Sequence, residues 1–266
     1  IELDVRAEEK ADYLRFELVK AVPSERIDAV LWGPLNTTIG ETIGEVVGVV
    51  GYASLPAALP HAFNPTWSEP ILAREDRARD ILAAAGFVEA CSYSFVSAEE
   101  NSPFDSCAPG APPRIQNALG EPFTTMRATP AIGLLRAARH NVRRGLSDLA
   151  LFEVGRSYGL GDGRPVESRR AAVLVQGRPG VHWASESRPA DFYDGSGAVA
   201  ALFAGFGASA PAFRPAAFPF LAPGRSAEVV VDGTVVGWAG VIASHVAASW
   251  DLGEAVVADV DLYAVP

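Results

Sequence analysis

The side chains best placed to do chemistry in this chain are arginines. Arg136, Arg139, His140, Arg143 and Arg144 recur at spacings that share one face of a helix. Such a face can meet phosphates or a partner's carboxylates, or it can complement the negative end of its own helix. Just upstream, Arg127 can pair with Glu153 across a sheet or donate outward to a partner. The four histidines, His61, His140, His182 and His245, include no i, i+4 pair, so a helical zinc site is not expected. The two cysteines, Cys91 and Cys107, form no C-x-x-C and have no histidine nearby, which excludes a disulfide framework and a cysteine zinc knuckle. There is no GxxxxGK[ST] phosphate loop and no GxSxG elbow. The glycine-rich stretches Gly33–Gly51 and Gly155–Gly163 lack the strand, turn and helix of a dinucleotide site. The usual equipment of a stand-alone small-molecule enzyme is missing.

The elements that must position these residues can be read from periodicity and turn signals. Apolar residues near a 3.6 period predict a helix over Ile71–Ala85, closed by Gly86. Phe87–Val96 reads as a strand, and Pro130–Arg144 as the helix that carries the basic face. Leu149–Tyr158 alternates as a strand apolar on both faces: Leu149, Leu151 and Glu153 on one side, Ala150, Phe152 and Val154 on the other. Ala171–Gly177 is a further strand, and Asp191–Phe206 a helix for which Asp191 supplies the first-turn carboxylate. Asp232-Gly233 between Glu228–Val231 and Thr234–Ile242 predicts a tight hairpin. Ala255–Val265 is the last strand. Separate helices and hairpins, without βαβ alternation, indicate an α+β fold on an antiparallel sheet. Upstream, residues 1–60 read as a small, irregular unit. A proline-punctuated linker, residues 61–70, leads to the main domain, residues 71–266.

Composition narrows the function classes. The 266 residues are 49% apolar, enough for a real core. A net charge of −10 argues against a stand-alone nucleic-acid binder, though not against membership of a larger RNA-handling assembly. No apolar run is long enough to span a bilayer, so no membrane partner is expected. Two isolated cysteines suit a reducing, cytoplasmic setting. The chain opens at Ile1 without a signal-like segment, and it is expected to be a piece of something longer.

A set of ordered motifs then points to one family. Gly86-Phe87-Val88-Glu89-Ala90 runs on to Ser92-Tyr93-Ser94-Phe95-Val96. Next come Gln116-Asn117-Ala118-Leu119, Met126-Arg127, Gly133-Leu134-Leu135 and Asn141. Leu151-Phe152-Glu153-Val154-Gly155-Arg156 follows, then His182-Trp183 and Asp191-Phe192-Tyr193-Asp194. Last are Pro223-Gly224-Arg225-Ser226-Ala227 and Gly237-Trp238-Ala239-Gly240. In this order and spacing they resemble the β subunit of bacterial phenylalanyl-tRNA synthetase. Gly51-Tyr52 and Pro56 resemble the end of that family's preceding winged-helix-like domain.

The resemblance implies a class II aminoacyl-tRNA synthetase-like domain that is a catalytically inactive copy. It also implies a partner α subunit that uses ATP to attach phenylalanine to tRNA, an (αβ)2 heterotetramer, and tRNA in the full assembly. Class II chemistry needs one arginine on the ATP α-phosphate and another near the γ-phosphate. Here the corresponding strand reads Phe152-Glu153-Val154-Gly155, and no arginine follows Gly240. No catalytic residue and no resident cofactor are therefore expected, and neither editing nor anticodon binding is assigned. Asp28, Glu41 and Glu45 line up with family positions that hold magnesium, with Gly44 in place of one ligand. Arg127, Arg136, Arg139, Arg143, Arg144, Phe192 and Tyr193 are the candidates for contact with the α subunit or tRNA. The Met126–Leu135 segment and the aromatics Phe192 and Tyr193 are expected to supply an exposed apolar patch. The rival reading is a free-standing paralogue, an interaction module outside the ligase.

Overall fold

Where the chain can turn decides how its strands are ordered. In the computed structural model the chain divides into two units, Ile1–Thr66 and Trp67–Pro266. The structure describes residues 2–9, 14–22 and 70–264, apart from 109, 119 and 180–187. In the first unit β1 (Glu2–Glu9) and β2 (Leu14–Val22) form a regular antiparallel ladder with one register shift at Asp4/Val5. This part of residues 1–60 is thus not irregular as expected; the rest of that segment and most of the 61–70 linker lie outside the described residues.

The second unit runs α1 (Pro70–Ala84), β3 (Val88–Glu89), β4 (Phe95–Val96), α2 (Ala98–Asn101), β5 (Thr125–Met126), α3 (Ala131–Val142), β6 (Leu149–Gly161), β7 (Arg164–Gln176), α4 (Phe192–Gly205), β8 (Ala212–Pro215), β9 (Leu221–Val231), β10 (Thr234–Ile242), α5 (Ser244–Ser249) and β11 (Ala255–Asp261). Seven strands make one sheet in the order β3-β6-β7-β11-β10-β9-β8. Every neighbouring pair is antiparallel except β3 with β6, which is parallel.

Asp232-Gly233 turns β9 into β10 with φ of 49° and 80°, the type I′ geometry that suits the twist of paired strands. Asp162-Gly163 does the same between β6 and β7, at 50° and 75°. That second hairpin extends both strands well beyond the expected Leu149–Tyr158 and Ala171–Gly177. It was legible by the same rule, but its polar flanks hide the alternation.

Helices cover both faces. Leu82 and Ala78 of α1, with Leu202 and Phe203 of α4, pack on Phe152, Val154, Val173, Ala258 and Val260. Ile132, Leu134 and Leu135 of α3 pack on Leu149, Leu151, Leu174 and Val257 across the sheet. Gly86, at φ 92°, ends α1 with Gly86 N–H on Ala83 O and Phe87 N–H on Leu82 O, the left-handed cap that only glycine adopts without strain. Asp191 starts α4 with a reciprocal capping box with Asp194. On the α3 face, Phe220 is wedged between Phe104 at 4.9 Å and Trp238 at 4.8 Å, with Phe218 beside it.

The predicted strand Phe87–Val96 is two strands. Val88–Glu89 joins the main sheet, whereas Phe95–Val96 pairs with Thr125–Met126 in a sheet of its own. The chain leaves β6 after Ala90 N–H bonds Phe152 O, Ser92 turns inward to Glu153, and Ser94 O accepts from the Arg127 N–H instead.

Two substitutions separate core from cap. Phe220→Ala should lose about 3–5 kcal/mol in urea unfolding, and Asp191→Ala about 1 kcal/mol. The denaturant slope should stay unchanged in both.

Candidate functional site

The family-like motifs converge on one buried cluster. Glu153 and Gly155 stand two apart on β6 and so share a face. Arg127, which follows β5, lays its guanidinium over Gly155. Its Nη1 donates to Glu153 Oε1 at 2.6 Å and to Ser92 Oγ at 2.8 Å, and its Nε to Arg156 O at 2.9 Å. Ser92 Oγ in turn donates to Glu153 Oε2 at 2.6 Å. The ion pair is out of solvent, its side chains 2% and 5% exposed. Both glycines nearby are sterically required: a Cβ on Gly155 would overlap Arg127 Nη2, and one on Gly133 would overlap Ser92 Oγ. Buried charges of this kind hold only when paired and fully hydrogen-bonded.

The cluster forms one wall of an open cavity of about 530 Å³. Glu75 and Arg79 of α1, Glu89, Cys91, Ser94, Arg156 and Tyr158 line the rest. Arg79 bridges Glu89 at 2.9 Å and Glu75 at 3.6 Å, and Tyr158 Oη donates to Ser94 Oγ at 3.4 Å.

A second buried cluster sits on the α3 face of the sheet. Asp259 of β11, fully buried, accepts from Thr129 Oγ1 at 2.6 Å and from Arg170 Nε at 2.8 Å. Cys107 lies close by. Burial pushes its thiol well up from the ordinary range, and the Asp259 carboxylate adds to the effect against the opposing pull of Arg170. Phe104, Phe220 and Trp238 pack together nearby, and the same face opens a cavity of about 610 Å³ lined by Phe218, Leu221, Arg225, Ile242, His245 and Glu254.

Most of the expected contact residues are engaged inside the chain. Arg136 pairs with Glu100 at 2.5 Å, Arg139 stacks on the Trp250 ring at 5.1 Å, Arg143 pairs with Asp251, and Arg144 meets the His140 ring. The basic face is therefore not a row of free cations. Arg127 serves the internal pairing, the first of its two expected roles. Phe192 packs edge-on against Phe213 at 5.6 Å, while Tyr193 beside it stands 77% exposed. The expected apolar patch at Met126–Leu135 is corrected. From Arg127 onward the segment is buried in the chain's own interior, because it leads into the helix that seals the sheet. Val88 and Tyr93 are exposed instead, at 65% and 71%. Asp28, Glu41, Glu45, His182 and Trp183 lie outside the described residues. Among the described residues no group of His, Cys, Asp and Glu could hold a metal ion, and no helix is long and apolar enough to cross a membrane. Sequence reasoning singled out Arg127 and Glu153 but missed Ser92, Gly133 and Gly155 as their packing partners. The available signal was Glu153-Val154-Gly155, a small residue on the carboxylate's own face of a strand.

Residues 55–262 match the family described as the phenylalanyl tRNA synthetase beta chain CLM domain. The chain belongs to this family. It is 33% identical over 247 residues to the phenylalanine–tRNA ligase beta subunit of Geobacillus kaustophilus, covering 91% of this chain and 30% of that protein. It is 34% identical over 224 residues to the same subunit of Methylococcus capsulatus, covering 83% and 27%. The chain thus spans less than a third of the length of these curated relatives. Among solved structures, PylSc, a pyrrolysyl tRNA synthetase of Desulfitobacterium hafniense, superposes with a TM-score of 0.53 at 14% identity, over 73% of this chain and 66% of that one. The fold is therefore that of a class II synthetase sheet. In this phenylalanyl-tRNA synthetase β-chain domain, the motif residues Ser92, Arg127, Gly133, Glu153 and Gly155 are the parts of a single clamp.

Arg127→Met and Glu153→Leu should each cost about 3–5 kcal/mol, because each leaves a buried charge without its partner. The double variant should lose clearly less than the sum, and a urea-unfolding double-mutant cycle reads that coupling. Thiol labelling should divide the cysteines: exposed Cys91 reacts readily in the native state, and part-buried Cys107, whose thiol is pushed up, reacts more slowly. The raised Cys107 thiol is un-ionised when folded. Its contribution to stability is complete below the unfolded thiol's pKa and is lost above about pH 8.5, where the unfolded thiol ionises.

Proposed function

We propose that this chain is a non-catalytic scaffold of phenylalanine–tRNA ligase, holding a catalytic α subunit that carries out ATP-dependent attachment of phenylalanine to tRNA. One observation carries the reading: the residues that mark the family are used to build a buried clamp. A substrate site would present some of them to solvent as unpaired donors for phosphate. Here Glu153 is neutralised by Arg127, and Gly155 makes room for that guanidinium. The missing class II arginines at the Glu153 strand and after Gly240 point the same way.

In this reading the ATP is the α subunit's, the assembly is an (αβ)2 heterotetramer in the cytoplasm, and tRNA meets it as a whole. A net charge of −10 leaves RNA affinity to other parts. A magnesium ion at Asp28, Glu41 and Glu45 belongs to the proposal on the resemblance alone.

Size-exclusion chromatography with a cognate α subunit tests the scaffold role, and phenylalanine-dependent pyrophosphate exchange into ATP tests the absence of catalysis. The expected result is co-elution, with no exchange by the chain alone. A chain that ignores the α subunit would favour the free-standing paralogue. Exchange by highly purified chain, abolished by substitutions within it, would overturn the non-catalytic reading.

A further inference from the structure

We draw no further inference here: the strongest candidate, the cavity of about 610 Å³ between the start of β9, the end of β10 and α5, carries nothing because Arg225 and Glu254 in its wall satisfy each other at 2.7 and 2.8 Å and nothing in the structure shows what fills it.

Discussion

The Arg127–Glu153 ion pair is the constraint around which the second unit is arranged. Two charges without solvent must find every partner inside the chain, and each partner brings an element with it. Ser92 fastens the segment between β3 and β4, Arg127 fixes the entry to α3, and Glu153 sets the face of β6 that looks toward them. Gly133 and Gly155 are small because hydroxyl and guanidinium occupy the space a methyl group would need. Segments far apart in the chain are held in one register by hydrogen bonds of 2.6 to 2.9 Å.

The second cluster works in the same manner on the neighbouring ground. Asp259 takes Thr129 from the start of α3 and Arg170 from β7, so the helix is tied to the sheet by polar as well as apolar contacts. Beside it Phe104, Phe218, Phe220 and Trp238 pack against one another. Burial raises the thiol of part-buried Cys107 beside it.

The surface follows from the interior. The arginines of α3 and its C-terminal turn look free by spacing alone, yet Glu100, Trp250, Asp251 and His140 each engage one. Glu100, Trp250 and Asp251 cannot be found by helical periodicity, because they arrive from α2 and the turn after α5; His140 alone is a helical neighbour, four residues before Arg144. Conversely, Val88 and Tyr93 sit in a motif that reads as strand, and the structure exposes both: β3 is a two-residue edge, and Tyr93 lies between β3 and β4, outside either strand.

Local signals were enough for the helices α1, α3 and α4, the Asp232-Gly233 hairpin, the two-faced burial of β6 and the family to which the chain belongs. Periods, caps and turn residues act over a few positions, and ordered motifs survive without coordinates. The division of Phe87–Val96, the Asp162-Gly163 hairpin's long strands, the burial of Met126–Leu135 and the pairing of the α3 arginines were decided by tertiary structure. Each depends on a contact between residues distant in the chain: Ser92 with Glu153, β6 with β7, α3 with the sheet, Arg143 with Asp251. Sequence showed that Arg127 and Glu153 could meet. Only the folded chain decided that they do so out of solvent, over a glycine.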